Sequence, residues 1–77
     1  DSQDDIIVWI NQAKDLYEWP MSRGDIKKKV FGEIGGQKNT TKQHMDLNIA
    51  LNMGWLVEST MKKNGAYMLE LPEDLPF

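Results

Sequence analysis

The chain contains no cysteine, one histidine and three prolines in 77 residues. Without cysteine, neither a disulfide framework nor a thiolate zinc site can brace the fold. The lone His44 has no second histidine to share a metal with. Its nearest acid, Asp46, stands two residues away on a helix and so points elsewhere. No apolar run approaches the roughly 18 residues that span a bilayer. No secretory h-region is present either, so a cytoplasmic location is expected. Paired carboxylates and a nucleophile–base pair are both missing, so neither catalysis nor a small-molecule substrate is expected, and no cofactor or metal is called for. The glycine-rich stretch from Gly32 to Asn39 fails the G-x-x-x-x-G-K-[ST] pattern, because Gln37 precedes Lys38 and Asn39 follows it. It reads as a flexible connection.

Seventy-seven residues make one domain, residues 1–77, with a small core. The chain opens on Asp1 rather than Met, as expected of a piece excised from a larger protein. Its composition, 40% hydrophobic and 27% charged, is that of an ordinary globular domain. The net charge of −3 is unevenly spread. Residues 1–18 carry Asp1, Asp4, Asp5, Asp15 and Glu18 against Lys14, a balance of −4. Residues 19–69 reach +4 through Arg23, Lys27, Lys28, Lys29, Lys38, Lys42, Lys62 and Lys63 against Asp25, Glu33, Asp46 and Glu58. Glu70, Glu73 and Asp74 return the tail to −3. A basic middle between acidic ends permits a polyanion on one face. It is far from the domain pI above about 9 of a dedicated nucleic-acid binder.

Apolar periodicity places a first helix from about Gln3 to Glu18, with Ile6, Trp9, Ile10, Ala13, Leu16 and Tyr17 on one face, Ser2 as N-cap and Pro20 as terminator. Pro20-Met21 suits a short edge strand. Ser22, with Asp25 three residues on, opens a second helix to about Phe31 that turns Ile26 and Val30 inward and Lys28 outward. A third helix begins at Thr40 or Thr41 in a Thr-x-x-Gln capping box completed by Gln43, and ends at Gly54. Leu47, Ala50 and Leu51 form one apolar stripe on it, and Met45, Ile49 and Met53 a second. Only Thr41, His44, Asn48 and Asn52 are left for solvent. Two strands follow, joined at Asn64-Gly65, a type I′ hairpin signal. Centring the turn there pairs Met61 with Met68, Lys62 with Tyr67, Thr60 with Leu69 and Glu58 with Leu71. Leu56, Tyr67, Leu69 and Leu71 then face inward, and Trp55, Val57, Met61 and Met68 outward.

This order of elements resembles a winged helix-turn-helix domain, an α+β, mainly helical fold of three helices plus a C-terminal β-hairpin wing. The resemblance rests on Ser22-Arg23-Gly24-Asp25-Ile26, on Leu47-x-x-Ala50-Leu51-x-x-Gly54-Trp55-Leu56 and on Asn64-Gly65-Ala66-Tyr67-x-Leu69, and covers nearly the whole chain. The Gly-Trp-Leu junction and the wing are also similar to the small C-terminal domains of bacterial and phage primase–helicase-like proteins. The resemblance implies a non-catalytic DNA-binding module, in replication or transcription regulation, whose third helix enters the major groove while the wing meets the backbone. Carried over, it assigns nucleic-acid contact to Thr41, Lys42, His44 and Asn48. Lys38 stands at the helix entrance and Lys62 and Lys63 in the wing, with Arg23, Lys27 and Lys28 as additional phosphate contacts. The exposed edge of the third helix departs from the pattern in lacking arginine, the usual reader of guanine, so backbone contacts should dominate. The alternative is a protein-interaction winged helix using its acidic first helix or the apolar hairpin face of Trp55, Val57, Met61 and Met68. The tail residues Leu75, Pro76 and Phe77 are the competing cover for that face.

Overall fold

Ile6, Ile10 and Ala13 recur at helical spacing. In a computed structural model, which describes residues 2–75 and 77, they are wholly buried along one side of α1 (Ser2–Leu16). Trp9 and Tyr17 are half-buried beside them, while Leu16, expected on the same face, is exposed because the helix ends there. Ser2 is already inside the helix. The indole Nε1 of Trp19 donates to the Ala13 carbonyl at 3.2 Å, binding the turn that follows to the helix end.

Met21 forms the expected edge strand as a single antiparallel bridge with Leu69, donating to its carbonyl at 2.9 Å and accepting from its amide at 2.8 Å. Ser22 caps the next helix as expected, its Oγ accepting from the Asp25 amide at 3.1 Å. One α-helical turn, α2 (Arg23–Asp25), then runs directly into a π-helix, Ile26–Ile34. The wider i→i+5 bonding moves the shared face to four- and five-residue spacing. Ile26, Val30 and Phe31 are therefore all fully buried, and Gly35 follows on the same side. The helix thus passes through Gly32, correcting the expected end at Phe31 and the reading of Gly32–Asn39 as a flexible connection. Gly35 leaves no room for a side chain without displacement: a Cβ there would stand 2.8 Å from the Trp9 ring and from the Phe31 carbonyl. Trp9 lies over this glycine and edge-on to Phe31, centroids 6.2 Å apart.

The third helix, α3 (Thr40–Asn52), is capped by Asn39 rather than by a threonine. Asn39 Oδ1 accepts from the amides of Thr41 at 2.8 Å and Lys42 at 3.3 Å. Gln43, expected to complete a capping box, instead donates its side-chain amide to the Gln37 carbonyl. At the other end Gly54 takes φ 78°, a left-handed conformation that suits glycine. The Trp55 amide bonds to Ala50 at 2.9 Å and the Gly54 amide to Leu51 at 3.2 Å, the paired hydrogen bonds of a Schellman C-terminus. Leu47 and Ala50 are buried and Ile49 and Leu51 half-buried, but Met45 and Met53 lie outside, so only one apolar stripe is core.

β1 (Val57–Lys63) and β2 (Ala66–Glu70) form a two-stranded antiparallel sheet around Asn64 and Gly65, both at positive φ. Lys62 pairs with Tyr67 as expected, but Glu58 pairs with Leu69 and Val57 with Glu70. The register shifts by two between Glu58 and Lys62, replacing the expected Thr60–Leu69 and Glu58–Leu71 pairs. Ser59 fills the irregularity. Its buried hydroxyl accepts from the Met61 amide at 3.1 Å and donates to the Met61 carbonyl at 3.3 Å. A shift of two keeps each strand residue on its face, yet burial departs from expectation at two other positions. Leu56 and Leu69 are buried as expected, whereas Tyr67 is 43% exposed and Trp55 only 4%. Trp55 meets the tail, its ring 6.0 Å from that of Phe77 in an edge-to-face pair. Pro76 lies outside the described residues.

The chain is thus an α+β fold of three helical segments and one antiparallel hairpin around a single core. None of its described helices is long and apolar enough to cross a membrane.

Candidate nucleic-acid interface

α3 presents Thr41, His44, Met45, Asn48 and Asn52 to solvent, three or four residues apart and so on one face. Four of these five are uncharged hydrogen-bonding side chains. The helix contains one acid, Asp46, and that residue is wholly buried. The exposed side of α3 therefore carries no carboxylate, in a chain with twelve acidic residues. Lys38 is exposed just before the Asn39 cap, adding a cation at the end where the backbone amides point outward.

In the hairpin, Lys62 and Lys63 are exposed beside the Asn64-Gly65 turn. The Lys62 ammonium sits 4.7 Å from the centroid of the cross-strand Tyr67 ring, a cation–π contact that holds it near the tip. Lys63 Nζ is 3.9 Å from Asp25, and Arg23 is 3.4 Å from Glu58. Both ion pairs join the first turn of the second helix to β1, alongside the Met21–Leu69 bridge. All four side chains are substantially solvent-exposed, and pairs of this kind contribute about 0–1 kcal/mol. A phosphate can exchange for either carboxylate at little cost. Lys28 is exposed and Lys27 half-buried on the π-helix, and the Lys29 ammonium lies 5.7 Å from the Tyr17 ring centroid.

Lys42 differs from the other cations. Its ammonium is 2.6 Å from Asp46 Oδ1, one turn on along α3, and its side chain is 34% exposed while that of Asp46 is fully covered. Of the residues singled out as nucleic-acid contacts, then, Thr41, His44 and Asn48 share one exposed helix face. Lys38 adjoins its N-terminus, Lys62 and Lys63 share the hairpin tip, and Arg23, Lys42 and Lys63 each have a carboxylate partner. The proposed protein-partner residues are split. Met61 is 55% exposed, Val57 and Met68 are half-buried, and Trp55 is covered by the tail. Sequence reasoning missed Met45 and Tyr67 as surface residues, and it missed the burial of Asp46. The Lys42-x-x-x-Asp46 spacing was its available signal. No protein-family model matches the sequence, and neither the curated proteins nor the solved structures yield a match.

Proposed function

We propose that this chain is a winged helix-turn-helix module that docks on duplex DNA, the face of α3 in the groove and the hairpin tip on the backbone. The sequence of helix, bridge-forming Met21, helix, helix and hairpin supports the architecture. The observation that carries the function is the acid-free exposed side of α3, flanked by Lys38, in a protein of net negative charge. Phosphate contact falls to Lys38, Lys62 and Lys63, and polar contact in the groove to Thr41, His44 and Asn48. With no arginine on that face, discrimination between bases is weak and the phosphate contacts dominate.

Three engaged lysines give a log–log salt dependence of about −2.7, at about −0.9 per phosphate neutralised. Anisotropy of a labelled duplex, titrated at several salt concentrations, measures this slope. The Lys38→Glu/Lys62→Glu double change should abolish binding at low salt while altering stability by no more than about 0.5 kcal/mol, as exposed substitutions do. Unaltered binding by the double variant, or no binding by the parent chain at low salt, contradicts the proposal. One observation favours a protein partner instead: Met45, Met53 and Met61 are each about half exposed or more. That reading requires absent duplex binding together with self-association that Met61→Lys abolishes.

A further inference from the structure

Three ion pairs within the described residues engage cations on the proposed interface, and one of them is built differently from the other two. Arg23–Glu58 and Lys63–Asp25 lie open to water at 3.4 and 3.9 Å. Lys42–Asp46 closes to 2.6 Å on a carboxylate with no exposed surface, whose second oxygen, Oδ2, is buried without a hydrogen-bond partner. A carboxylate so placed has no solvent to fall back on and, among the described residues, one counter-charge within reach. Transferring Lys42 to a phosphate would leave it buried and uncompensated, the arrangement a protein interior tolerates least.

Resting on the docking reading above, we infer that Asp46 withholds Lys42 from the polyanion. It is a positioning residue that makes the N-terminal half of α3 electrically neutral and sets the affinity of the interface low. The pair bears no net charge, so it displaces no counterion from a nucleic acid and adds nothing to the salt slope. Groove contact along this stretch is left to the uncharged Thr41, His44 and Asn48, and the cations that count lie at the two ends, Lys38 and the hairpin tip.

The test replaces the pair as a unit. The Lys42→Gln/Asp46→Asn double variant exchanges an ion pair for a neutral amide pair of similar length, avoiding the lone buried charge that either loss of lysine or a misplaced acid would create. It should bind a labelled duplex with the parent salt slope, whereas Lys38→Gln should lower the magnitude of that slope by about 0.9. Asp46→Asn alone, which frees Lys42, should raise it by about 0.9. A double variant that loses the same increment as Lys38→Gln means that Lys42 does meet phosphate, and overturns the inference. Competitive acetylation of the parent chain, read by mass spectrometry, gives a measure independent of DNA. Lys42 should label several-fold more slowly than exposed Lys38, and equal labelling overturns the inference. Failure of every variant and of the parent to bind duplex, with Lys42 protected, instead removes the docking reading on which it rests.

Discussion

α1 and α3 are similar in length and each turns one side to the same core, yet they show solvent opposite surfaces. α1 exposes Asp4, Asp5 and Asp15 and keeps its buried side free of charge, with Ile6, Ile10 and Ala13. α3 does the reverse, burying its one acid and exposing threonine, histidine, methionine and asparagine. Acids near the start of α1 favour the helix dipole and need no other explanation. The buried Asp46 lies in mid-helix, away from the terminus, and is covered with Lys42 as its partner, since carboxylates are almost never fully buried unless paired. What its burial achieves is a helix surface from which negative charge has been removed. On the docking reading proposed above, the two helices meet different neighbours: water for the first, an anionic partner for the third.

The comparison breaks most visibly at Lys42. Lys42→Met should destabilise the fold toward the lower end of the roughly 3–5 kcal/mol measured when a buried ion pair loses one member, because Lys42 itself keeps some contact with water. Chemical denaturation of the variant measures the loss, and a change below about 0.5 kcal/mol would show that Asp46 reaches solvent. Next in size is Gly35→Ala, in which the new methyl would strike the Trp9 ring and the Phe31 carbonyl. A loss of about 1–3 kcal/mol is expected from overpacking at the junction of α1 and the π-helix. A thermal melt unchanged from the parent would mean the two are not in contact. Asn39→Ala should cost about 1 kcal/mol, by exposing the Thr41 and Lys42 amides at the start of α3. Thr40→Ala, outside the cap, should be near neutral, and a reversal of that order would return the cap to threonine. Smallest of all, Asp15→Asn on the exposed side of α1 should shift stability by less than about 0.5 kcal/mol. It should also leave duplex binding intact in the anisotropy titration.

Much of the architecture could be read from residue order because its signals are local. Ser22 caps the helix it opens, Gly54 closes α3, Met21 bridges Leu69, and Asn64-Gly65 turns the hairpin with Lys62 opposite Tyr67. What escaped depends on geometry away from these points. A 3.6-residue period cannot register a π-helix, so Phe31 looked like an end when Gly32–Ile34 continue it. Uniform alternation cannot register the irregularity at Ser59, which moves the pairing upstream of it by two positions. Nor can it place Trp55, which precedes β1 and is buried against the tail, or Tyr67, which lies exposed beside the hairpin tip. On α3, hydropathy assigned Met45 and Met53 to the interior and gave Asp46 no place there. The structure leaves both methionines about half exposed and covers Asp46, because Lys42 supplies the counter-charge that lets an acid be buried. The exposed candidate residues Thr41, His44 and Asn48 were legible from spacing alone. The ion pairs of Arg23 and Lys63 were not, since each joins residues far apart in the chain, whereas that of Lys42 had a signal in its four-residue spacing to Asp46.

The asymmetry between the two helices is tested most directly by titrating the 15N-labelled protein with a short duplex at low salt and following amide and side-chain shifts. Perturbations are expected at Lys38, Thr41, His44, Asn48, Lys62 and Lys63, with the exposed residues of α1 silent. Perturbations centred on Asp4, Asp5 and Asp15, or none anywhere, would contradict it.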